Sequence, residues 1–172
     1  MNPPPSNPSS GADSLAAPFG IDAQDYVEIL NLYSAYNLAS DSGDAEWYAH
    51  CFTVDGEQHG TYDVIGREAL IAYKRRDYAS RSHLYRRHWN GSIHLERIDE
   101  QTIRGRCYLF GYNGEPGTLP HVTHAGVYTD TISTIRLIAM LNVNSRSSRN
   151  GGSGSTIIAR IRMISTGPAA ER

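Results

Sequence analysis

Apolar positions follow two periods in succession, helical from Tyr26 and strand-like from His88. Tyr26, Ile29, Leu30, Tyr33 and Asn37 fall at three- and four-residue spacing, with Val27, Leu30 and Leu38 on a neighbouring stripe. That spacing predicts a helix from about Ala23. Asp22 is placed to cap it, and Asp25 suits its positive N-terminal end. Turn chemistry at Ser40 to Gly43 ends it. Asp44 then caps a short second helix, Ala45 to Phe52. Val54 to Gly60 reads as a turn and first strand, and Thr61 to Ile65 as a second extended piece. Gly66 precedes a third helix, Arg67 to Ala79, carrying Ala69, Leu70 and Tyr73.

Beyond the helices, His88 to Ile98, Thr102 to Tyr112, Val122 to Ile132 and Thr156 to Ile164 alternate with period two and read as strands. Helices first and antiparallel strands later predict an α+β fold, with helices packed on one face of a curved sheet. Alternation puts His88, Asn90, Ser92 and His94 on one strand face. In the next strand Arg104, Arg106, Tyr108, Phe110 and Tyr112 share a face, opposed by Gly105, Cys107, Leu109 and Gly111. In the third, His124, Gly126, Tyr128 and Asp130 share a face. A one-residue slip inverts any such assignment. The expected substrate pocket comprises Tyr48, Phe52, Asn90, Tyr108, Phe110, His124 and Tyr128.

At 172 residues the chain is long enough for one domain with a real core. Residues 1–20, rich in Pro, Ser and Ala, are expected to be a flexible tail. The domain is expected over 21–166, with an atypical polar linker at 133–155 and a tail at 167–172. Ile135 to Val143 fits strand or short helix equally. A formal charge of -2 offers no basis for nucleic acid or an anionic membrane as partner. No apolar run reaches the ~20 residues of a membrane helix, and no signal peptide is evident, so a cytoplasmic protein is expected. Cys51 and Cys107 have no Cys-x-x-Cys partner, which predicts two buried thiols and no zinc site. The 11 tyrosines against 3 Phe and 2 Trp suit a cavity for an oxygenated, ring-bearing ligand.

Three polar residues carry the candidate chemistry: Tyr36, Asp41 and His88. Imidazole titrates near neutral pH, so His88 suits a general base, with Asp41 to orient the ring. Tyr36 supplies an acid or hydrogen-bond donor. Such a set needs no cofactor. Base plus donor serves an elimination, and the same parts could run a double-bond shift. A second pocket carboxylate would favour a hydrolase, and Asp130 is the candidate if it faces inward. Lys74-Arg75-Arg76 and Arg86-Arg87 read as a solvated basic face. His121 and His124 are expected on opposite strand faces, against a metal site there.

Tyr36 to Asp44, Phe52 to Asp55, Gly66 to Leu70, Arg87 to Asn90 and Gly126 to Asp130 occur in an order that resembles the SnoaL-like branch of the nuclear transport factor 2-like superfamily. The resemblance covers about residues 22 to 132 and implies a cone-shaped α+β barrel wrapped around one deep pocket. In its scytalone dehydratase, bile-acid dehydratase and lindane dehydrochlorinase types, a pocket Asp and His form the base, here Asp41 and His88. In the bile-acid type a Tyr five residues before the Asp falls on Tyr36. The resemblance therefore implies a cofactor-independent lyase, a dehydratase or related β-elimination enzyme, acting on a small hydrophobic ring-containing alcohol or ketone. Isomerase, polyketide-type cyclase, epoxide hydrolase and non-catalytic small-molecule binding stay open. So does the β subunit of a ring-hydroxylating dioxygenase, although nothing identifies an α partner. A homo-oligomer, dimer or trimer, is expected. The segment from Ser133 to Ser155 departs from the family pattern.

Overall fold

A computed structural model describes residues 20–60, 62–133 and 163–164. Asp22 caps helix α1 (Ala23–Ser42) by accepting from the Asp25 backbone N–H at 2.7 Å. Gly43 ends α1 at φ 77°, and a Cβ there would run into the Tyr78 ring. Only glycine meets both demands without strain. Asp44 starts α2 (Ala45–His50), accepting from the Trp47 N–H at 2.9 Å. The last turn tightens, with Phe52 N–H bonding Ala49 at 3.2 Å, so α2 stops short of Phe52. Strands β1 (Glu57–His59) and β2 (Val64–Ile65) pair antiparallel. Helix α3 (Arg67–Arg81) follows.

Three long strands, β3 (Tyr85–Arg97), β4 (Thr102–Gly114) and β5 (His121–Ser133), form an antiparallel sheet in that order. Of the strand expected at Thr156 to Ile164, only β6 (Met163–Ile164) lies within the described residues. It pairs parallel with β1. Of the tail expected at 1–20 only Gly20 is described, its carbonyl accepting from Arg97 Nε at 2.9 Å, and the expected tail at 167–172 and all of the linker beyond Ser133 lie outside the described residues. The result is an α+β cone with helices on the concave side of a bent sheet. None of the described helices is long and apolar enough to cross a membrane.

The core fills that concavity. From α1 it takes Ile29, Tyr33, Tyr36 and Ala39, while Tyr26, Val27 and Leu38 of the expected stripes stay exposed. Tyr48, Phe52 and Leu70 add to it. The sheet contributes Leu95, Ile103, Cys107, Leu109, Tyr128 and Ile132. Cys51 and Cys107 are buried free thiols, and burial pushes both up to about 12.

Three face assignments differ from expectation, one of them on β5, where Gly111 pairs with His124 but Tyr112 with Val122, so that His121 and His124 share a face after all. On β4 the parity holds, but Gly105, Cys107, Leu109 and Gly111 face the core, and Tyr108 and Phe110 point outward, 53% and 41% exposed. Helix rings already occupy the hollow, so the sheet opposite them must be slim. Tyr108 and Phe110 therefore cannot line an internal pocket. On β3 a bulge interrupts the ladder: Gly91 pairs with Tyr108, but the next partner pair is His94 with Arg106. Ser92 takes the extra residue at φ 52°. One inserted residue reverses every later side chain, so His88 and Asn90 turn inward while Ser92 and His94 are exposed.

Candidate active site

Asp41 lies on the last turn of α1, where that helix packs on β3. Its Oδ2 accepts from the backbone N–H of His88 at 2.9 Å, and its Oδ1 lies 2.5 Å from His88 Nδ1. One carboxylate thus fixes both the strand and the ring. The two side chains are only 7% and 8% exposed. With Nδ1 engaged, Nε2 is the nitrogen left for proton transfer.

His88 and His124 are both cross-strand partners of Gly111. Their rings meet edge to face, with centroids 5.6 Å apart. A Cβ at Gly111 would run into the His124 ring. This glycine therefore leaves the gap through which two imidazoles from outer strands touch across the central one. Burial first, then the charges of His88, Arg86 and Arg81, lower the His124 pKa below the ordinary imidazole value. His124 is accordingly neutral at neutral pH.

Two spaces flank this pair. A half-open cavity of about 340 Å³, with His124 at its exposed side, is walled by Tyr36, Leu109, His124, Tyr128, Asp77 and Arg86, among others. A groove of about 500 Å³ between α1 and β3 is bordered by Asn37, Leu38, Asp41, His88, Trp89 and Asn90. The dyad borders the groove, Tyr36 and His124 border the cavity, and the two-histidine contact joins them. A larger hollow, about 640 Å³, lies between Tyr62–Val64 and α3 and touches neither dyad member.

Tyr36 sits within a cluster of phenols. Its hydroxyl is 3.5 Å from that of Tyr48, which bonds Gln58 Oε1. Its ring meets Tyr128 edge to face at 6.3 Å. Burial above all holds the pKa of Tyr36, Tyr48 and Tyr128 well above the ordinary phenol value. These phenols are donors that keep their protons. Among the other expected pocket residues, Tyr48 and Phe52 stack behind Tyr36 in the core. Asn90 lies on the groove side, bonded to Asn37 at 2.5 Å and to Cys107 Sγ at 3.3 Å.

Several residues here escape a sequence reading. Lys74, expected on a solvated face, is 3% exposed. It bonds Ser40 Oγ at 2.9 Å and stands 4.3 Å above the Tyr48 ring. Asp77 takes Lys74 at 3.3 Å, Arg86 at 2.9 Å and Arg81 at 3.6 Å. Burial would raise Asp77, but these three cations outweigh it and hold its carboxyl below the usual range. The one available signal is spacing: Leu70, Lys74, Asp77 and Arg81 share one face of α3. Asp130 faces inward, is fully buried and accepts from the Tyr33 hydroxyl. Among the described residues it borders neither the cavity nor the groove. No cluster of three or more His, Cys, Asp or Glu among the described residues could hold a metal ion.

The profile described as a SnoaL-like domain matches residues 22–135. The chain belongs to the SnoaL-like family. That match takes in α1 through β5, and so every residue of the dyad and cavity. Solved structures share the SnoaL-like cone at low identity. ActVI-ORFA from Streptomyces coelicolor is 18% identical over 88% of this chain and 100% of its own, with a TM-score of 0.68. A Catenulispora acidiphila protein in complex with S-DNPA is 18% identical over 83% and 95%, with a TM-score of 0.61. A scytalone dehydratase candidate from Novosphingobium aromaticivorans is 15% identical over 83% and 85%, with a TM-score of 0.58. Among curated proteins, none matches the chain significantly in sequence.

Proposed function

We propose that this SnoaL-like protein is a cofactor-independent lyase, a dehydratase acting on a small ring-containing β-hydroxy carbonyl compound. The observation that carries the reading is the shielded Asp41–His88 pair, 2.5 Å apart, joined through His124 to a tyrosine-lined cavity. Support also comes from one fold relative being a scytalone dehydratase candidate and another holding a bound small molecule.

In this reading His88 meets the substrate at its contact with His124, where groove and cavity adjoin, and removes the proton beside the carbonyl through Nε2. Asp41 holds the ring and stabilises the imidazolium that forms. The electron pair becomes the new double bond as the β C–O bond breaks. The imidazolium then protonates the departing hydroxide, which leaves as water and regenerates the base. Tyr36 donates a hydrogen bond to the carbonyl oxygen. Its raised pKa makes a tyrosinate costly, so donation is favoured over full proton transfer. A hydrolase would hold its water between acid and base, and that alternative is disfavoured because Asp130 does not border the cavity while Asp77, which does, is held by Lys74, Arg81 and Arg86.

The test is turnover on a panel of ring-bearing β-hydroxy ketones. His88→Ala should lower kcat about 10²–10⁴-fold, Asp41→Asn should lower it less, and Tyr36→Phe should also slow the reaction. Unchanged turnover in His88→Ala and Asp41→Asn would overturn the mechanism.

A further inference from the structure

Two arginines, Arg81 and Arg86, line the cavity beside one carboxylate, Asp77. Lys74, Arg81 and Arg86 share the single carboxylate of Asp77. Arg86 is nine-tenths buried, with a side chain 10% exposed. Its Nη1 bonds Asp77 at 2.9 Å, yet its buried Nε–H has no hydrogen-bond partner among the described residues. A buried guanidinium N–H without an acceptor is costly. Burial, with Arg86 adding to it, lowers Lys74 to about 8, against the pull of Asp77. His59, also at the cavity, contacts Glu57 and Asp63, each at 2.9 Å.

We propose that the substrate carries a carboxylate, held in this cavity by Arg86 and Arg81, with the reacting carbon turned toward the His88–His124 contact and Tyr36. This deepens the lyase reading and rests on it for the reaction, while the carboxylate site stands on the Arg86 geometry. It makes the substrate an acid instead of a neutral alcohol or ketone. The guanidinium fork suits a carboxylate, which takes two parallel N–H bonds. A neutral carbonyl accepts without a countercharge and so matches two arginines less well.

The probe pair is phenylacetate and its methyl ester, which differ at the charged end alone. Calorimetric titration of the full chain should find the acid binding about tenfold tighter than the ester. Arg86→Met should abolish that preference, and Arg86→Lys should keep part of it. His88→Ala should lose turnover while keeping the full preference, which separates failure of the mechanism from failure of the carboxylate site. If Arg86→Met gives no cooperative unfolding transition, Arg81→Met, at an exposed side chain, serves instead and should reduce the preference several-fold. Equal affinity for acid and ester, a preference that survives the arginine substitution, or no binding of either probe at millimolar concentration would each overturn the proposal.

Discussion

Asp130 has no measurable exposure, one oxygen bonded to Tyr33 and the other without a partner among the described residues. Burial pushes its carboxyl up to about 7, against the lowering effect of the Tyr33 bond. An unfolded chain releases that proton near pH 3.9. Between the two values the native state holds more protons, so its stability falls as pH rises and levels off above about 7. Roughly three units correspond to about 4 kcal/mol. Asp130→Asn should flatten this slope in urea melts from pH 4.5 to 7.5; an unchanged slope would place its origin elsewhere. That Asp130 faces inward is readable from its alternation with Tyr128. That Lys74 and Arg86 are buried is not, because three consecutive basic residues read as a solvated helix face unless the tertiary partner, Asp77, is known.

At the scale of elements, helical and strand periods, with the Asp22 and Asp44 caps, predict α1 to α3 and β3 to β5 within a few residues of their ends. Local chemistry sets those features, so sequence carries them. The side of the sheet that faces the helices depends on packing between elements. Tyr108 and Phe110 therefore have the expected parity and the opposite face. The bulge at Gly91 to His94 is invisible to alternation, since an inserted residue leaves no compositional mark beyond one glycine. The Gly111 gap is equally hidden: its role exists only once β3 and β5 flank β4. Gly111→Ala should displace the His124 ring and cost about 1–3 kcal/mol of stability by overpacking. It should also break the link between dyad and cavity, lowering turnover at least tenfold with Asp41 and His88 unaltered. A crystal structure of the variant and its turnover on the β-hydroxy ketone panel check both parts. An unmoved His124 ring would show that the gap is not needed.

For the whole molecule, none of the described elements covers the outer face of the β3–β5 sheet. Trp89, Tyr108 and Phe110 are exposed there, and Trp89 pairs directly with Phe110. A contiguous aromatic patch on a sheet is the kind of surface that a second copy covers. Sedimentation should find a homodimer, with Tyr108→Lys plus Phe110→Lys shifting it to monomer. A monomeric wild-type chain would contradict this. The stronger proposal concerns the site: an Asp-His base beside the phenol-lined cavity takes a proton from a ligand held there. Its most direct test is proton exchange at the acidic C–H of ring-bearing β-hydroxy ketones, followed by NMR in deuterated buffer. This reads the base whether or not the leaving group departs. The wild-type protein should catalyse exchange, His88→Ala should slow it by about 10² or more, and Asp41→Asn should fall between them. Equal exchange by all three proteins, or none by the wild type, would contradict the account.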